Sequence, residues 1–171
     1  MSNTMTPCMP LSEVALIRGW IDADNPIWDL LVAYHNLPHA ERDPRVIKAY
    51  QAHIGQCVNL YCQDFPEVLG MGAFGFEDEI RIDHVKTQDE PAVWQCERTR
   101  LTPKTQQRHL VFMTYLTTVE TDAWTQFKFQ KIDVKPQKGL TLIWPADWTW
   151  TYRDLPADNK YRAIGWLGLR E

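Results

Sequence analysis

Apolar positions along the 171-residue chain follow two periodicities, helical in the first third and β-like later. Ile27, Leu30, Leu31 and Tyr34 recur at helical spacing after Asp24-Asn25-Pro26, a cap residue followed by proline at the first helical position. Pro38 closes that helix. Val46, Ala49, Tyr50, His53, Ile54, Cys57, Val58 and Tyr61 form the apolar stripe of a second helix, from about Pro44 to Asp64. The pattern thus predicts helices near 26–36 and 45–63. Residues 1–10, polar with two prolines, read as a mobile tail, and Leu11 to Trp20 as either a short strand or a helical turn. Residues 65–76, with Gly70, Gly72 and Gly75, read as a loop. Glu77-Asp78-Glu79 reads as a solvated acidic turn, and Ile80, Ile82 and Val85 alternate as a strand.

From Val93 onward the punctuation changes. Arg108 to Leu116, Val134 to Trp150 and Lys160 to Leu167 each hold a short apolar run rich in β-branched and aromatic residues, bounded by polar residues, glycine or proline. The intervals leave no room for long helices, so this half reads as a β-sandwich or barrel. Lys138-Gly139 is placed to turn the chain into a strand from Leu140 to Trp144, and Pro145 removes the donor that would extend the ladder.

Composition narrows the class. At 20.0 kDa and 44% hydrophobic residues, the chain is one domain over 1–171, large enough for a substantial core. A net charge of −4 and a pI near 5.7 argue against nucleic acid or an anionic membrane as partner. Residues 1–10 lack the basic segment and apolar run of a secretory signal, and no apolar stretch has spanning length, so a cytoplasmic protein is expected. Cys8, Cys57, Cys62 and Cys96 form no Cys-x-x-Cys pair, which removes zinc-ribbon and thioredoxin-like readings and leaves buried free thiols.

The second half also carries a longer pattern. Trp94-Gln95-Cys96-Glu97-Arg98, Arg108 to Leu116, Val134 to Trp150 and Lys160 to Trp166 resemble four segments of the iron(II)- and 2-oxoglutarate-dependent dioxygenases. Within them the match is to the prolyl-4-hydroxylase-like group, especially short forms from phage and marine bacteria. There the segments read W-H-x-E-R, R-H-L-x-x-M-x-Y-L, V-K-P-x-K-G-x-L-x-x-W-P-A-x-W-T-H and K-Y-x-x-x-G-W. The resemblance implies a mostly β, α+β fold: a double-stranded β-helix (jelly roll, cupin-like) over 77–171, with two N-terminal support helices within 11–66.

It also implies where chemistry would lie. The family holds iron with two histidines and a carboxylate, leaving positions for 2-oxoglutarate and oxygen. The corresponding residues here are Gln95, Glu97 and Trp150. A Gln offers a neutral amide oxygen and a Trp indole only donates, so one ligand of three is kept, and no metal is expected there. Neither His84 nor His109 restores the set: His84 precedes Gln95 by eleven residues, and His109 matches a family histidine outside the triad. His35 and His39 have the i, i+4 spacing of zinc ligands, but Pro38 breaks the helix that spacing needs. Lys160, ten residues after Trp150, matches the basic residue that takes the far carboxylate of 2-oxoglutarate, so that compound or another small carboxylate is the ligand class it would suit. Trp94, Cys96, Tyr115, Trp124 and Trp166 are the expected pocket residues, with Trp124 and Trp150 narrowing it.

Three readings follow. The first is a dioxygenase-like fold that has lost iron chemistry and binds a small ligand or a protein partner in its cavity. The second is an enzyme of altered chemistry built on Glu97, Gln95 and Cys96, with Glu97 as an acid or base in a Trp-lined pocket. The third is a working hydroxylase with displaced ligands, and the absence of histidine after His109 counts against it.

Overall fold

The computed structural model describes residues 6–7, 16–86 and 92–171, so the expectations for 1–5, 8–15 and 87–91 fall outside the described residues. Among the described residues, nine strands form two antiparallel sheets. The larger is ordered β1 (Thr6–Pro7), β2 (Arg18–Ile21), β7 (Leu140–Pro145), β4 (Arg108–Tyr115), β9 (Tyr161–Leu169), β3 (Phe74–His84). The smaller is ordered β6 (Ile132–Val134), β5 (Thr125–Phe127), β8 (Tyr152–Asp154).

Two helices, α1 (Ile27–Asn36) and α2 (Pro44–Asp64), cover the outer face of the large sheet. Asp43 caps α2 by accepting the Arg45 N–H, and the Asn25 side chain accepts the Ile27 N–H at the start of α1. A capped single turn, α3 (Pro103–Gln106), precedes β4.

The strands β4, β7 and β9 are buried on both faces, which is why they read as near-continuous apolar runs. Alternation divides them between two cores. Val111, Met113 and Tyr115 of β4 join Leu142 and Trp144 of β7, Ile164 and Trp166 of β9 and the small sheet's Phe127 and Tyr152 between the sheets. Leu110, Phe112, Ile143 and Leu167 face the helices, where they meet Trp28, Leu31, Tyr50, Ile54 and Tyr61. At Gly165 an added Cβ would stand 2.3 Å from the ring of Phe112, its partner on the neighbouring strand, so only glycine lets that ring lie across β9.

Several elements depart from the expected boundaries. Thr6–Pro7 pairs with Ile21 and Trp20, so part of the expected tail is a strand, and β2 inserts into the large sheet beside β7 ahead of the helices. The segment 11–66 therefore supplies sheet as well as helical support. The expected loop over 65–76 contains a 3-10 helix at Pro66–Met71 and the start of β3 at Phe74, so the β region opens before residue 77. Of the expected acidic turn Glu77-Asp78-Glu79, Asp78 and Glu79 are exposed but Glu77 is not, and the three lie within a strand. They form an irregularity within β3, between Phe76 and Ile80, and Glu77 is buried against Arg108.

Candidate functional site

The stretch 94–98 threads between the ends of two strands. Gln95 pairs through both backbone hydrogen bonds with Tyr152 of β8, while the Glu97 and Arg98 N–H groups donate to the Ala146 carbonyl just after β7. The side chains of Gln95 and Glu97 share a face, because both meet the Tyr152 hydroxyl: the Gln95 amide approaches it at 3.4 Å and the hydroxyl donates to Glu97 Oε1.

Glu97 is closely held. Its Oε2 accepts from Trp166 Nε1 at 2.9 Å and from Arg108 at 3.2 Å, besides the Tyr152 hydroxyl on Oε1. The Arg108 guanidinium lies 3.8 Å from the Trp166 ring centroid and also bridges to Glu77 at 3.2 Å. A bulge in β4 produces this. Two residues of β4 oppose one of β9 between Arg108 and Leu110, which turns Arg108 toward Glu97. His109 turns instead to the helical side, donating from Nε2 to the Val68 carbonyl at 2.9 Å and packing on Phe74. Burial first, and then Glu97's charge, raise the Tyr152 hydroxyl well above its usual pKa, so it stays a donor.

Trp150 lies in a 3-10 turn, Trp148–Trp150, between β7 and β8, rather than on a strand. It is buried in the core between the sheets, edge-on to Phe127 at 6.2 Å. His84 stacks on Tyr161 at 4.1 Å, with Nε2 2.5 Å from the Asp158 carbonyl. His35 packs edge-on against the same tyrosine at 5.9 Å, and His39 lies in a separate 3-10 turn. Among the described residues, no three His, Cys, Asp or Glu side chains stand together as a metal site. The donors present do not fit an iron(II) centre: a carboxylate already accepting three hydrogen bonds, a neutral amide and an indole stand where two imidazoles and a carboxylate would be needed.

Lys160 points inward, and each of its three donors has an internal partner. Its Nζ lies 2.5 Å from Asp154 Oδ1, 2.7 Å from the Leu155 carbonyl and 2.8 Å from the Ala123 carbonyl. Asp154 ties the site together: Oδ1 also accepts from Thr125 at 2.7 Å, and Oδ2 from Arg162 at 2.7 Å. The Tyr115 hydroxyl donates to Thr125 at 2.5 Å, and Arg162 reaches on to Asp83 at 3.2 Å. Burial holds the Lys160 ammonium below the usual lysine range, against the pull of Asp154.

Of the expected pocket residues, Tyr115 and Trp166 lie in the core between the sheets, whereas Trp94 is half-buried under the Arg153 guanidinium, 4.4 Å from its ring centroid. Trp124 is also half-buried, and its carbonyl accepts the Leu155 N–H. The Cys96 thiol bonds to the Arg98 carbonyl at 3.5 Å, and burial, with Glu97 and Asp147 nearby, pushes its pKa up, away from a reactive thiolate. Clefts of about 500, 300 and 180 Å³ open on the surface, and none is lined by Glu97, Trp150 or Lys160.

Arg108, Tyr152, Asp154 and Arg162 are the site residues that sequence reasoning passed over. One signal was available: Lys160 and Arg162, two apart on a strand entering an apolar run, require buried counter-charge, and Asp154 with Tyr152 shows the same spacing.

No family model matches the sequence, and no curated protein is similar to it. Solved structures are similar in fold. A truncated form of the viral collagen prolyl hydroxylase of Paramecium bursaria Chlorella virus 1 superposes with a TM-score of 0.67 at 19% identity, over 91% of this chain and 90% of that one. The 2-oxoglutarate complex of the same viral enzyme gives 0.66 at 16% identity, over 93% and 98%. A Pseudomonas putida prolyl-4-hydroxylase gives 0.63 at 14% identity, over 94% and 92%. With its two facing sheets and helical cover, the chain has the jelly-roll fold of the prolyl hydroxylases.

Proposed function

We propose that this chain is a cytoplasmic binding protein on a prolyl-hydroxylase fold that does not carry out iron- and 2-oxoglutarate-dependent oxidation. One observation carries the reading: the two charged groups kept at the ancestral site positions are already spent on internal partners. Glu97 is held by Tyr152, Trp166 and Arg108, and Lys160 by Asp154 and two carbonyls. An incoming metal would have to compete with the Arg108 cation beside Glu97, and an incoming dicarboxylate would approach an ammonium neutralised by Asp154. The aromatic packing of Phe127, Trp144, Trp150 and Tyr152 between the sheets supports the same reading, with partners engaged from the outside rather than in a cavity.

The test is direct. Protein purified without oxygen is titrated calorimetrically with Ni(II) and with 2-oxoglutarate, then assayed with Fe(II), 2-oxoglutarate and oxygen for succinate. No saturable metal binding and no succinate above the protein-free rate are expected. Succinate formation by the wild type would overturn the proposal.

A further inference from the structure

The outer side of the small sheet carries a row of cations and aromatic rings with no internal explanation. Arg153 lies 4.4 Å from the Trp94 ring centroid, and Lys128 Nζ lies 5.8 Å from that ring and 5.6 Å from Phe129. Phe129 in turn meets Trp148 at 6.0 Å. Trp148 is 67% exposed and Phe129 53%. Lys131 sits beside them, in the β5–β6 turn, with a left-handed backbone at φ 55°. Several surface cations have carboxylate partners, as in Arg18–Asp64, Lys135–Glu120 and Lys138–Asp29, and what sets this row apart is that its cations cluster beside exposed aromatic rings. Among the described residues, none forms an ion pair with Lys128, Lys131 or Arg153, though Arg153 donates to the Gln126 amide at 2.7 Å. Asp133 on β6 and Asp147, which caps the turn bearing Trp148, are the neighbouring carboxylates, leaving three cations to two anions on a chain of net charge −4.

We infer that this row is the docking surface for an acidic peptide segment of a protein partner, one that carries a bulky apolar side chain among its carboxylates. This rests on the reading of the chain as a binding protein. Exposed aromatics beside Arg are the residues that anchor protein interfaces, and their solvent exposure here is otherwise unfavourable. The cations give charge complementarity that acts over roughly a Debye length of about 8 Å, so the local excess of positive charge outweighs the distant acidic surface. Geometry favours a peptide over single-stranded nucleic acid. Phe129 and Trp148 pack edge-to-face at 86°, so they do not present two parallel ring faces on which successive bases would stack. The net negative charge of the chain also opposes a long run of phosphates more than a short run of carboxylates.

Fluorescence anisotropy with labelled peptides of alternating Glu and Leu, or Glu and Phe, tests this against the matching Gln peptides and oligodeoxythymidylate. The acidic peptides should bind with an affinity that falls as salt rises. Lys128→Glu with Lys131→Glu should weaken that binding at least about tenfold, as should Trp148→Ala or Phe129→Ala. Because these side chains are exposed, the thermal midpoint of each variant should match the wild type. No binding of either acidic peptide, equal binding of the Gln peptides, or insensitivity to all these substitutions would overturn the inference. Tighter binding of the oligonucleotide would overturn it in favour of a nucleic-acid surface. Succinate formation, by contrast, bears on the interior and would strike the functional reading itself.

Discussion

Asp154→Ala should be among the most damaging single changes in the molecule. The Asp154 side chain is 5% exposed and the Lys160 side chain wholly enclosed, and the carboxylate neutralises both Lys160 and Arg162. Truncation leaves Lys160 with two carbonyl acceptors and no counter-charge, while Arg162 keeps Asp83. Stranding one buried charge costs about 3–5 kcal/mol, and the Thr125 hydroxyl also loses its acceptor. For a domain of this size that is a fall of about 6–20 °C in thermal midpoint. The loss should depend on pH. Burial already holds Lys160 below the usual lysine value of 10.5, and Asp154 works to raise it, so removing Asp154 lowers it further. Between the folded value and 10.5 the unfolded chain binds more protons than the native one, so native stability rises with pH across that window. Urea unfolding near neutrality and again at about pH 9 should therefore show the variant's deficit narrowing at the higher pH. Formate replaces the missing carboxylate. At ten times its Kd it should return about 1.4 kcal/mol, whereas the wild type should not respond. A variant within about 1 kcal/mol of wild type at neutrality would refute the reasoning, since the carboxylate would then not be what holds the two cations.

Three further outcomes are expected. Gly139→Ala should destabilise by more than about 1–2 kcal/mol in thermal unfolding, since φ is +84° and the new Cβ would meet the Asp22 carbonyl oxygen at 2.5 Å; a wild-type midpoint would contradict this. Burial pushes the Cys57 thiol up to about 12, so an aromatic disulfide reagent at about pH 8 should leave Cys57 unlabelled, by mass spectrometry, until the protein is unfolded. Gln95→His with Trp150→His should not by itself create a tight Ni(II) site in calorimetry. Adding Tyr152→Phe, which releases Glu97 Oε1, should tighten binding about tenfold, and equal affinity with and without Tyr152 would contradict this.

The helices and the central strands were legible because their apolar patterns are complete. The stripe from Val46 to Tyr61 faces one surface, and β4, β7 and β9 are apolar throughout because both faces are covered. Strand β2 was not legible: four residues carry little pattern, and the partner that makes them a strand, β7, lies far along the chain. The two sheet irregularities were hidden for a related reason. Whether His109 or Arg108 points between the sheets depends on one extra residue opposite β9, which changes side-chain parity without changing composition. Glu77 read as solvated because its counter-charge, Arg108, is remote in sequence. Resemblance singled out Gln95, Glu97, Trp150 and Lys160 as candidates, but the partners that neutralise the charged pair emerge from the fold.

On the proposed reading, the absence of histidine at positions 95 and 150 is not the whole of what separates this interior from an iron site. In the family this sequence resembles, a carboxylate at the Glu97 position faces a metal, and a basic residue at the Lys160 position faces a co-substrate carboxylate. Without ligands, each would be a buried ion lacking its counter-charge, a cost of several kcal/mol apiece. Here each is paired with a protein group of the sign such a ligand would supply. Arg108 stands 3.2 Å from Glu97 as the cation, and Asp154 stands 2.5 Å from Lys160 as the anion. The bulge in β4 is what aims the first, and the i, i+2 alternation of Tyr152 and Asp154 along β8 is what aims the second. It follows that imidazoles placed at positions 95 and 150 would not by themselves make a metal site. Ligand binding would still have to break ion pairs that stabilise the fold, so the interactions that close the site and those that hold the two sheets together are the same.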